Sequence, residues 1–92
     1  MSSNIQDKDF PMPFEVFGDG IAAEKLHKRL SCALRGLGFN PVVGLRPMIE
    51  RPSELDDKLE PFVLAGGRLW VEGLPRTEEI ELLLRKDLKS QE

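Results

Sequence analysis

Apolar residues along this chain change their spacing from segment to segment, and each spacing predicts an element. Phe14, Val16 and Phe17 follow Pro13 and stop at Gly18-Asp19-Gly20, the pattern of a short strand ended by a turn. Ala22, Leu26, Leu30, Ala33, Leu34 and Leu37 then recur at helical intervals, while Lys25, Lys28, Arg29 and Arg35 fall mostly elsewhere on the wheel. An amphipathic helix of about four turns is expected, with Asp19 placed to cap its start and Gly38 able to turn left-handed just past its end. Pro41, Val42, Val43 and Leu45 predict a second strand. The segment LRPMIERPSELDDKLE, with two prolines, reads as a connection, and its Ser53-x-x-Asp56 can cap one helical turn.

The strongest local signal is PFVLAGGRLWVEG, two apolar runs parted by Gly66-Gly67, a pair suited to the positive backbone angles of a tight hairpin. The chain ends with LPRTEEIELLLRKDL. There Thr77 is the expected cap, Glu78 and Glu79 lie by the positive end of the helix dipole, Lys86 and Lys89 lie near its negative end, and Ile80, Leu83, Leu84 and Leu88 share one face. The order is β, α, β, connection, β-hairpin, α. A helix between the first two strands implies a right-handed parallel crossover, and the hairpin adds antiparallel strands. The expected architecture is an α/β fold with a four-stranded mixed sheet and helices on both faces.

Length and charge narrow the picture. At 92 residues the chain fits one small domain, expected over 13–92 after a polar, flexible lead-in at 1–12. A net charge of −3 with interspersed signs provides no broad basic field, so nucleic acid is not an expected partner. No apolar run approaches the roughly 20 residues of a membrane span, and MSSNIQDKD has none of the features of a signal peptide, so no membrane partner and a cytoplasmic location are expected. Cys32 is the single cysteine, which excludes an internal disulfide and a cysteine metal cage; no metal and no cofactor are expected.

The segment from Phe14 to Leu88 resembles the small thioredoxin-like family of prokaryotes, the minimal glutaredoxin-sized form of the thioredoxin fold. The resemblance is carried by FEVFGDG, by the hairpin PFVLAGGRLWVEG and by LPRTEEI. It implies a thioredoxin-like βαβ-ββα topology. It also implies a Cys-x-x-Cys pair directly after the glycine turn, where a helix N-terminus stabilises a thiolate. Here the corresponding residues are Ile21 and Glu24, neither of which can exchange disulfides, so dithiol oxidoreductase activity is rejected. The resemblance further implies a cis proline at Pro61, opening the third strand beside that motif, where neighbouring backbone pairs with an extended peptide or thiol ligand. Glu60 precedes it, a bulkier and more charged residue than that role favours.

The expected function is that of a redox-inactive binding or adaptor module. Its surface would comprise Asp19, Gly20, Ile21, Glu24, Glu60 and Pro61, and its partner would be another protein or a small ligand. Taken singly, Glu24 is first a dipole-stabilising acid and Asp19 first a cap. Two alternatives stand beside it. Cys32, on the side of the helix carrying Lys25, Lys28 and Arg29, would serve a single-cysteine thiol-transfer or redox-sensing protein, although mid-helix it has no dipole advantage. An exposed hairpin edge would serve a small structural subunit of a larger complex. His27 is expected at the edge of the core, Trp70 in the hairpin core or at an interface, and Arg46, Arg51, Arg68 and Arg76 as scattered solvated charges.

Overall fold

The computed structural model describes residues 9–55 and 60–90. Its elements run β1 (Phe14–Phe17), α1 (Ile21–Gly36), β2 (Val43–Arg46), two 3-10 turns (Met48–Glu50 and Ser53–Leu55), β3 (Phe62–Ala65), β4 (Arg68–Glu72) and α2 (Thr77–Ser90). The single turn expected from Ser53 is present, while Asp56, its proposed capping partner, lies outside the described residues. The sheet order is β2-β1-β3-β4, with β1 parallel to β2 and antiparallel to β3, and β4 antiparallel to β3. The described residues thus form an α/β fold with a four-stranded mixed sheet and two α-helices. The parallel pair follows from the helix between its strands, since only a long crossover can return the chain in the same direction.

Strand alternation sends β1 and β3 side chains to two separate cores. Phe14, Val16, Val63 and Ala65 pack on one face against Ala23, Leu26, Leu30, Ala33 and Leu34 of α1 and Ile80 and Leu84 of α2. Phe17, Phe62 and Leu64 pack on the other, against Met48, Leu55 and Leu69. Both α-helices therefore lie on the same face, and the expectation of helices on both faces is corrected. The second face is covered by the connecting segment instead. A helix running through it would need a backbone donor at Pro52 and would push the proline ring against the carbonyl four residues back, and its described residues form isolated 3-10 turns.

Three further expectations shift in detail. The buried stripe of α1 begins at Ala23, with Ala22 exposed, because Ala23 faces the backbone of Gly18. Thr77 is the first residue of α2 rather than its cap; the carboxylate of Glu79 reaches back to accept the Arg76 N–H at 2.8 Å, half of a capping box. The lead-in expected at 1–12 divides in two: 1–8 lie outside the described residues, but Phe10 is buried in the helix-side core. Its ring centroid is 5.2 Å from that of Phe14 and 5.1 Å from that of Phe39, and the Asp9 carboxylate accepts a hydrogen bond from Asn40.

The hairpin turn has φ of +60° at Gly66 and +83° at Gly67, the positive pair that a two-residue turn between right-twisted strands requires. A bulge opposite Val63 and Leu64 shifts the register of β4. Trp70 packs its half-buried ring 5.0 Å from Phe14 and donates its indole N–H to Asp87 of α2. No helix among the described residues is long and apolar enough to cross a membrane.

Candidate functional site

The turn after β1 and the loop before β3 meet at one end of the sheet, and glycine makes the meeting possible. Gly18 is buried and donates its N–H to the Arg46 carbonyl at 3.0 Å, extending the parallel pairing with β2 past the end of β1. A side chain there would lie 2.7 Å from the Ala23 Cβ and 3.1 Å from the Pro61 Cβ. Gly20, at φ +106°, then swings the chain into α1, whose first residue is Ile21. The Glu60–Pro61 bond is cis. The Pro61 carbonyl accepts the Gly73 N–H at 2.7 Å, tying the loop to the end of β4.

Asp19 does not cap α1. The residue before the helix is Gly20, whose positive-φ backbone leaves Asp19 one step outside the cap, and no side chain among the described residues caps the helix start. Its carboxylate accepts the Met48 N–H at 3.2 Å instead, and its own backbone N–H donates to the Glu60 carboxylate. Asp19 therefore ties together the β1–α1 turn, the first 3-10 turn and the loop before β3. Charge at the adjoining edge is balanced in a similar way. Arg46 pairs with Glu15 at 2.9 Å and Glu50 at 3.2 Å, and these hydrogen bonds raise the affinity of its guanidinium for its proton, the bond to Glu15 contributing most.

Of the expected site residues, the structure brings Asp19, Gly20, Glu60 and Pro61 into one cluster, with Ile21 and Glu24 on the adjacent first turn of α1. Ile21 is 70 % exposed, a large apolar side chain held in water beside a polar frame. Sequence reading did not find Met48 or its neighbour Ile49, which is 87 % exposed next to the Asp19 contact. Neither carries a pattern that distinguishes it from a residue of an ordinary connection. Cys32 is exposed but sits eleven positions along α1 from Ile21, about 16 Å by helical rise, and is not part of the cluster.

The remaining candidates act as ties within the fold. His27 is half-buried and its Nε2 donates to the Val43 carbonyl at 2.9 Å, joining α1 to the edge strand β2. Arg51 donates to the Met48 carbonyl at 2.9 Å, and Arg29 to the Pro75 carbonyl at 3.0 Å. No group of three or more potential metal ligands occurs among the described residues. The cluster thus offers carboxylates and backbone groups beside the exposed Ile21 and Ile49. Comparison with protein-family models, curated proteins and solved structures finds no match to this chain.

Proposed function

We propose that this protein is a thioredoxin-like domain without a redox motif, acting as a binding or adaptor module for another protein through the end of the sheet at Asp19–Ile21, Glu24, Glu60 and Pro61. The observation that carries this reading is the meeting of the β1–α1 turn with the loop at Glu60 and Pro61 beside a 70 % exposed isoleucine. The element order βαβ-ββα, with β1 parallel to β2 and the hairpin adding β3 and β4 antiparallel, supports the thioredoxin-like part. Ile21 and Glu24 stand at the two positions where the resembled family places cysteines, so binding needs no covalent step. An extended partner segment pairs with backbone beside Pro61 and covers Ile21 with an apolar side chain. A partner group seeking the Asp19 N–H must displace the Glu60 carboxylate that holds it, which makes Glu60 part of the selectivity of the surface.

The test is affinity capture from native extract with the unaltered chain and with the double variant Ile21→Asp, Pro61→Ala, after confirming that both are folded. Loss of a captured protein with the double variant alone supports the reading; equal capture moves the working surface elsewhere. One observation favours a second reading. Cys32 is exposed, as a single-cysteine thiol-transfer or redox-sensing protein requires. That reading demands alkylation much faster than a free-cysteine standard at neutral pH.

A further inference from the structure

Away from that cluster, α2 and the edge strand β4 border an open apolar groove of about 420 Å³. Its lining is Val71 from β4, Pro75 from the loop, and Glu79, Leu82, Leu83 and Lys86 from α2. Leu82 is 66 % exposed on its rim, while Ile80 and Leu84 of the same helix are fully buried on the opposite side. The two charges lie at opposite ends of the groove, seven residues apart, with the two leucines midway between them.

That order reads the same when the helix is reversed and the charge signs exchanged. A two-fold axis passing between Leu82 and Leu83 sets a second α2 antiparallel to the first, with Glu79 facing Lys86 of the other copy at both ends and the leucines meeting in the middle. Such isologous contact requires a self-complementary patch, and this one is self-complementary in charge, with Glu79 and Lys86 flanking the two leucines. We propose that the groove is a docking surface for a second copy of this chain, α2 packing on α2 about this axis. Burial of the leucines drives the contact, and the rim ion pairs, weak individually, set its antiparallel orientation. A single helix pair covers less than the roughly 800 Å² per partner of a standard stable interface, so the association is a weak and reversible one.

Sedimentation equilibrium of the full chain from about 10 μM to about 1 mM tests this. The average mass is expected to rise from that of one 10.4 kDa chain toward twice that value. Leu82→Arg abolishes the rise. Lys86→Glu alone abolishes it by facing like charges, as does Glu79→Lys, while an equimolar mixture of these two single variants associates again because every facing pair is then opposite. Since Glu79 also holds the Arg76 N–H, folding of Glu79→Lys is checked by circular dichroism, and Lys86→Glu, which leaves that contact intact, stands as the independent test. A mass that stays at one chain throughout, association unaltered in Lys86→Glu, or a mixture that does not associate each overturns the proposal.

Discussion

Gly18 shows how much can depend on the absence of one side chain. The Cβ atoms of Ala23 and Pro61 stand 2.7 Å and 3.1 Å from where its own would be, so the β1–α1 turn and the loop before β3 touch only because this residue has none. The nearest neighbour is a short side chain fixed to a helix, which has no far end to swing away. Gly18→Ala is therefore an overpacking substitution, with an expected loss of about 1–3 kcal/mol, read as a lower urea midpoint at unchanged slope. Gly44 provides the internal comparison. A Cβ there meets nothing closer than 3.5 Å, and Gly44→Ala is expected to leave stability within about 0.5 kcal/mol. Equal losses at the two positions would show that the close approach at Gly18 is not what limits it.

Among the elements, α2 is held to the sheet by a specific tie as well as by its buried stripe. Trp70, the single tryptophan, donates from β4 to the Asp87 carboxylate while its ring rests on Phe14. Asp87→Ala removes the acceptor and leaves a half-buried donor without it. The expected cost is about 1–3 kcal/mol, accompanied by a changed tryptophan emission maximum; an unmoved spectrum would place the indole out of contact with α2. These elements were legible in the sequence to differing degrees. The Gly66-Gly67 hairpin and α2 carry local signals, two glycines able to take positive φ and a leucine period, and both appear where expected. The buried stripe of α1 begins one residue later than the spacing predicts, because Ala22 and Ala23 both fit the interval to Leu26 and only the backbone of Gly18 decides between them. Phe10 was hidden in a polar segment, since a single aromatic has no period, and its partner Phe39 is distant in sequence. The candidate cluster was legible as residues but not as contacts. Asp19 looked like a cap because its position suited one, whereas its actual partners, Met48 and Glu60, are 29 and 41 residues away.

For the whole molecule, the decisive asymmetry lies between the two faces of the sheet. One face carries two α-helices with seven buried side chains between them, and the other carries two single 3-10 turns whose contributions, Met48 and Leu55, are only partly buried. Local opening costs roughly what the opening segment buries, so residues 47–55 should open at a lower free energy than β3 or α1. Their turn bonds, Glu50 N–H to Pro47, Arg51 N–H to Met48 and Leu55 N–H to Pro52, report this directly in hydrogen exchange. These amides are expected to exchange well before those of Val63, Leu64, Leu30 and Leu34. The Asp19 carboxylate, bonded to the Met48 N–H, is the tie that couples this segment to the candidate binding surface. Asp19→Ala should therefore speed exchange at Met48, Glu50 and Arg51 by about 5- to 15-fold, the loss of a single net hydrogen bond of about 1–1.5 kcal/mol, and leave the amides of α2 unchanged. Uniform protection over both faces would mean that the connecting segment opens only with the whole fold. Acceleration spread into α2 would mean that Asp19 supports the domain at large, and its role would then be global stability rather than the shape of this one end of the sheet.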